Sequence, residues 1–255
     1  FSFLPLEIQT LARAFADGYN FFLQHNPDVT PRLITQMEPW HVLAFERYMI
    51  LPRLLGAAHA PSREVTQLEA EELASLGSNQ WAIGPDRTRN GTAMLFINPH
   101  QPWYGSGMFT EMHVKSESGW DFSGAMYPGS PFPTAGFNNH LGWAYTVNEA
   151  DISDVYRLTF DHPSDSDLYR YDGDWRRAET WEIELAVKGE TQPRRYELRK
   201  SHHGPITRQE DETHFLAIKV PRLYDGSRMV QSLAQSRASN FDEWYAAASS
   251  LQLQT

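Results

Sequence analysis

The hydrophobic period of this chain changes from helical to strand spacing at Gly77, and that change limits the possible folds more than any bulk property. Before it, apolar residues recur at helical spacing; after it, as far as about Val187, they alternate at the two-residue spacing of a strand. Leu6, Ile8, Leu11, Phe15, Tyr19 and Phe22 predict an amphipathic helix that starts at Pro5 and stops at Asn26-Pro27. A second helix starts near Pro39 and carries Trp40, Leu43, Phe45, Tyr48, Met49 and Leu51, apolar on most sides and so expected to be buried. Residues Ser62 to Ser75 read as a charged third helix.

Beyond Gly77 the strands expected are Trp81 to Ile83, Ala93 to Ile97, Phe109 to Val114, Trp120 to Met126, Trp143 to Val147, Val155 to Phe160 and Trp181 to Val187. Trp181, Ile183, Leu185 and Val187 alternate, which predicts one wet face and one buried face. The acidic stretch Asp161 to Asp174 reads as a loop and hairpin. Helices at Met229 to Ser236 and, capped by Asn240, at Phe241 to Leu251 close the chain. Helices, then an antiparallel sheet, then helices imply an α+β layered fold.

Composition removes several classes of function. With 22 Lys+Arg against 32 Asp+Glu, a net charge of −10, the chain lacks the basic surface of a nucleic-acid binder. Absence of cysteine rules out disulfides, zinc-thiolate sites, iron–sulfur clusters and thiol catalysis in these 255 residues. No apolar run reaches the roughly 18 to 20 residues of a membrane-spanning helix. Phe1 is neither an initiator Met nor the start of a signal peptide, and the last residues stop without a turn signal, so a longer protein is expected.

The residues with chemical interest gather around the change of period. Gly77-Ser78-Asn79 opens the strand region; Asn98-Pro99-His100 follows one hairpin later, and His203-Gly204-Pro205 stands further on. Upstream lie Ala14 to Asn20 and Glu38-Pro39-Trp40. Five such blocks in this order resemble the penicillin acylase family of N-terminal nucleophile hydrolases, most of all its branch that deacylates aculeacin-type lipopeptides and acyl-homoserine lactones.

The resemblance implies a four-layer αββα core preceded by a helical segment. Residues 1–77 would then be the end of an α subunit, with a possible spacer, and 78–255 the start of a β subunit, completed by the rest of both. Gly77–Ser78 would be the autoproteolytic junction. Ser78 would then own a free α-amine with a reference pKa of about 7.7 to 8.0, largely a free base near neutrality and able to activate its own hydroxyl. By the residues alone, Ser78 reads equally as an N-cap or turn serine. The resemblance places His100 beside the nucleophile and the backbone N–H of Val147 in the oxyanion hole, with a second donor, an Asn, further along the β subunit. His100 also reads as a surface turn histidine.

The resemblance further implies an acyl pocket from Gln101, Pro102, Trp103, Phe132 and Thr134, although Gln101 stands where the lipid-acyl branch commonly has an apolar residue. Trp103 and Phe132 read equally as core. Asp151, Ser153 and Asp154 would hold a structural Ca²⁺, or form a solvated acidic turn. A small acyl amide is the expected substrate, and the periplasm or exterior the expected location. Two rivals stand beside this: a non-catalytic, calcium-stabilised binding protein on the same fold, and a metallohydrolase using His100, His113 and the Asp151/Asp154 pair, which lacks an HExxH-like spacing.

Overall fold

The computed structural model describes residues 1–56, 77–146 and 152–252, so the helix expected over Ser62 to Ser75, as well as Val147 and Asp151, lies outside the described residues. Two units emerge, one from residues 1–51, 77–146 and 222–252 and one built on residues 152–221. This division follows packing and does not coincide with a division of the chain at Gly77.

In the first unit, α1 spans Leu6–His25. Its inner line is Ile8, Ala12 and Ala16, four residues apart, while Leu6 and Phe22 of the expected apolar face are exposed. Two alanines let the helix axis approach its neighbours, and the bulkier Leu11, Phe15 and Tyr19 pack beside that contact. Asn20 then ties down the following loop: its Nδ2 donates to the Met37 carbonyl at 2.9 Å and its Oδ1 accepts from the Met37 amide at 2.8 Å. The block ending at Asn20 and the block starting at Glu38 are thereby brought together.

Helix α2 spans Trp40–Gly56. It buries Val42 and Glu46, one turn apart, whereas Trp40 and Tyr48 are exposed. The expectation of a helix buried on most sides is therefore corrected: its apolar residues are spread around the axis, but one face meets the core.

Strands β1 (Gly77–Ile83) and β2 (Met94–His100) form a hairpin closed by a 3₁₀ turn at Pro85–Arg87. Both run longer than their apolar residues predict. Gly77 to Asn79 find partners in Asn98 to His100, so the ladder continues through residues with no strand signal of their own. Four antiparallel strands follow: β3 (Thr110–Lys115), β4 (Asp121–Met126), β5 (Ala135–Asn138) and β6 (Gly142–Trp143), in that spatial order. Gly124 and Gly136 face each other between β4 and β5, and a Cβ on either would lie 2.2 Å from a carbonyl oxygen of the opposite strand.

Trp120, Phe122, Met126, Phe132 and Trp143 meet α1, Val42 and two residues of the later helix, Met229 and Leu233, in one core. Each large side chain buried there contributes about 1.5–3 kcal/mol. Helix α3 spans Arg228–Arg237 with Ser227 as N-cap, and α4 spans Phe241–Ala248 with the Asn240 side chain accepting from the Glu243 amide at 3.0 Å. The expected Asn240 cap holds, and α4 ends three residues before Leu251.

In the second unit, β7 (Asp154–Thr159), β12 (Ile206–Gln209) and β13 (His214–Lys219) form a sheet in the order β12-β13-β7. Strands β8 (Leu168–Tyr171) and β9 (Asp174–Arg177) are the hairpin foreseen in the acidic stretch, turned by Asp172-Gly173 with both φ angles positive, 52° and 82°. The ribbon of β10 (Glu179–Leu185) and β11 (Arg194–Lys200) corrects a second expectation: Trp181 and Leu185 are exposed together with Tyr196 and Leu198. Alternation foretold a distinct apolar face, but no described layer covers it. The described strands thus make five antiparallel sheets of two to four strands.

Candidate active site

The β1–β2 register decides the geometry at Ser78. Gly77 pairs with His100, Ser78 with Pro99 and Asn79 with Asn98. Direct partners share a face and successive residues alternate, so Gly77, Asn79, Asn98 and His100 lie on one face while Ser78 and Pro99 lie on the other. His100 Nε2 accepts from Asn79 Nδ2 at 2.9 Å and from Asn98 Nδ2 at 3.3 Å. Amide nitrogens only donate, which puts the ring proton on Nδ1. That nitrogen faces Gly77: a Cβ on the glycine would be 3.3 Å from it.

Ser78 is half-buried, and its hydroxyl donates to the carbonyl oxygen of Gly77, the residue on the other side of the same peptide bond. His100 was expected to bond the Ser78 hydroxyl or amine. In the continuous chain the hydrogen bonds of the two are with different partners, because the antiparallel register gives them opposite faces. What His100 neighbours is the residue that a cut would remove.

The other predicted residues are dispersed. Gln101 and Pro102 are half-buried after β2, and Trp103 is 92% exposed. Phe132 and Thr134 are buried and line a cavity of about 40 Å³ with Phe45, Tyr127 and Met229 among others. Trp103 therefore shares no wall with Phe132. Val147 lies outside the described residues. His113 is exposed and 2.6 Å from Asp121. His203-Gly204-Pro205 has a structural explanation: a Cβ on Gly204 would lie 2.0 Å from the Ile218 carbonyl oxygen, and Pro205 bridges to Lys200.

Of the candidate calcium ligands, Asp151 lies outside the described residues, Ser153 is half-buried and Asp154 is exposed opposite Lys219 in the β7–β13 register. Ca²⁺ takes roughly six to eight oxygens. Among the described residues no group of three or more His, Asp or Glu side chains could hold a metal ion, and Asp151, the remaining candidate ligand, is not among them.

Sequence reasoning passed over three residues. Asn79 and Asn98 orient His100, and their symmetric places in the two blocks were the available signal. Glu46 is buried on α2 against Arg47, its carboxyl held above the ordinary range because burial outweighs the favourable charge and hydrogen bonds around it. An adjacent Glu-Arg pair inside an apolar helix was the sign.

Comparison with known proteins agrees with the resemblance. Acyl-homoserine lactone acylase PvdQ of Pseudomonas fluorescens (strain Pf0-1) is 31% identical over 230 residues, covering 79% of this chain and 29% of that protein. Aculeacin-A acylase of Actinoplanes utahensis is 32% identical over 204 residues, 76% of this chain and 24% of that one. A thermostable penicillin G acylase from Alcaligenes faecalis shares the fold, with a TM-score of 0.58 at 24% identity over 69% of this chain and 31% of its own. The chain thus spans less than a third of these proteins' lengths. The family model for penicillin amidase matches residues 4–255, and the chain accordingly belongs to the penicillin amidase family.

Proposed function

We propose that this chain carries the junction and the nucleophile of an amidohydrolase that removes an acyl group from a small N-acylated molecule. The observation that supports it most is the hydroxyl of Ser78 resting on the Gly77 carbonyl, with His100 beside Gly77. Attack by Oγ on that carbonyl carbon closes a five-membered ring through Cβ, Cα and N. The C–N bond then breaks, the hydroxyl proton goes to the amine, and water hydrolyses the ester. Gly77 leaves as a carboxylate, Ser78 keeps a free α-amine, and that amine takes the place next to His100.

In the mature reaction Ser78 Oγ attacks the substrate carbonyl while the α-amine accepts its proton and passes it to the departing amine. The Val147 N–H and an Asn elsewhere in the β subunit hold the oxyanion, each such donor being worth about 2.7–4 kcal/mol of barrier. Water then releases the acyl group. Phe132 and Thr134, which line one cavity, are assigned to the acyl pocket, and Gln101, Pro102 and Trp103 are assigned to it by the resemblance alone. In this reading residues 1–77 and 78–255 are parts of an α and a β subunit within an αββα core, and the protein works in the periplasm or outside the cell. Calcium at Asp151, Ser153 and Asp154 enters no step.

Intact mass tests the reading. A fragment beginning at Ser78, absent in Ser78→Ala, is the expected result; an uncut protein that still hydrolyses amides would overturn it.

A further inference from the structure

Among the described residues Glu46 is the one buried carboxylate, and its two oxygens are claimed from both sides of the Gly77–Ser78 bond. Oε1 accepts from Arg47 Nη1 at 2.9 Å, within α2. Oε2 accepts from Ser227 Oγ at 2.8 Å and from the Met229 amide at 3.0 Å, at the start of α3. Arg47 reaches the same place, its Nη2 donating to the Gly226 carbonyl. Gly226 in turn packs closely on Gln252, so closely that a Cβ there would lie 1.8 Å from the Gln252 carbonyl oxygen. An ion pair between these segments, Arg237 to Glu7 at 2.6 Å, is partly exposed and so holds weakly. Apolar packing of α1 and Val42 also joins the segments, but it is not directional. The carboxylate fixes where α2 sits on the first turn of α3.

We propose that Glu46 is the anchor that keeps the segment before Gly77 seated on the segment after it once the two are separate chains. While the backbone is continuous, tethering keeps the two at an effective concentration on the order of millimolar, and loss of the anchor is masked. After a cut, affinity alone holds them. The proposal takes its setting from the junction at Gly77–Ser78, but its test does not need that bond to cut itself.

The test uses the protein expressed from its complete gene, with Ser78→Ala and a specific protease site inserted within residues 57–76, so that two chains form on demand. Native mass spectrometry and dilution then measure how firmly the first chain is held. The wild-type anchor should keep it. Glu46→Ala should weaken retention roughly 10²-fold, the loss of hydrogen bonds to a buried charge, and leave the uncut protein folded. Glu46→Gln, which keeps the shape without the charge, serves the same comparison should the alanine variant fail to fold. Arg237→Ala should stay within about threefold. Retention of the Glu46 variants within threefold of wild type would overturn the proposal, as would dissociation of the cut wild type. An uncut Gln variant that does not fold would also overturn it, by making Glu46 a folding determinant and nothing more.

Discussion

His100 and Gly77 are direct partners across the β1–β2 ladder, and the Nδ1 of the histidine faces the glycine so closely that a Cβ there would stand 3.3 Å away. The imidazole is thus packed against the residue that precedes the proposed junction, on the face opposite Ser78. Removal of Gly77 is what would give it a new neighbour, and this sets the order of events for the first two predictions.

Ser78→Ala removes the oxygen proposed as nucleophile, and with it the contact on the Gly77 carbonyl. Self-cutting and amide hydrolysis should both disappear while the fold persists. Ser78→Cys should retain partial activity, because a thiol can replace the hydroxyl as nucleophile. Mass spectrometry of the purified variants, with circular dichroism for the fold, checks both.

Asn79→Ala takes away the closer of the two donors to His100 Nε2, at 2.9 Å against 3.3 Å for Asn98. One hydrogen bond worth about 1 kcal/mol corresponds to a slowing of roughly fivefold to tenfold. Cutting at the junction should slow by that factor in Asn79→Ala, less in Asn98→Ala, and the time course of fragment appearance on gels reads it. Equal rates in wild type and both variants would mean that the orientation of His100 does not matter.

Glu46 has its folded pKa raised above the reference value of 4.5, chiefly by burial. A raised acid holds its proton more tightly folded than unfolded, so its contribution to stability is full below about 4.5 and is lost as pH rises through the folded value. Glu46→Gln removes this titration. Chemical denaturation from pH 4 upward should show a fall in stability for the wild type that is shallower in the variant.

Gly124→Ala places a Cβ 2.2 Å from the Ala135 carbonyl oxygen. The strands β4 and β5 cannot keep their separation, and an overpacking cost of about 2–3 kcal/mol is expected. Urea denaturation should show a lower midpoint, whereas Gly173→Asn, in the Asp172-Gly173 turn, should change it little.

Much of the architecture was readable in advance because short-range rules produce it. The 3.6 period yields α1 wherever the chain goes next, Asn240 caps α4 by its own side chain, and Gly173 turns the β8–β9 hairpin by its backbone freedom. The described elements before Gly77 are helices and the first strand begins at Gly77 itself, in line with the switch of period. The blocks around Ser78 and His100 were likewise legible, since their spacing is a property of the chain.

What the chain could not disclose by itself is which residues share a face, and which apolar residues find a cover. Strand pairing depends on a partner distant in sequence: nothing in Asn98-Pro99-His100 says that it will lie on Asn79-Ser78-Gly77, yet that register alone sends His100 to Gly77 and away from the hydroxyl. Trp103 and Phe132 are both bulky and apolar, but one is exposed and the other buried, because burial is decided by what packs above a residue. Glu46 carries the same lesson for charge. Arg47 beside it in an apolar helix hints at a buried pair, but only Ser227 and Met229, from the far end of the chain, say what the carboxyl binds. The sequence by itself determined the order of elements, the turns and the family; the tertiary structure decided the pairings, because these depend on contacts between segments far apart in the chain.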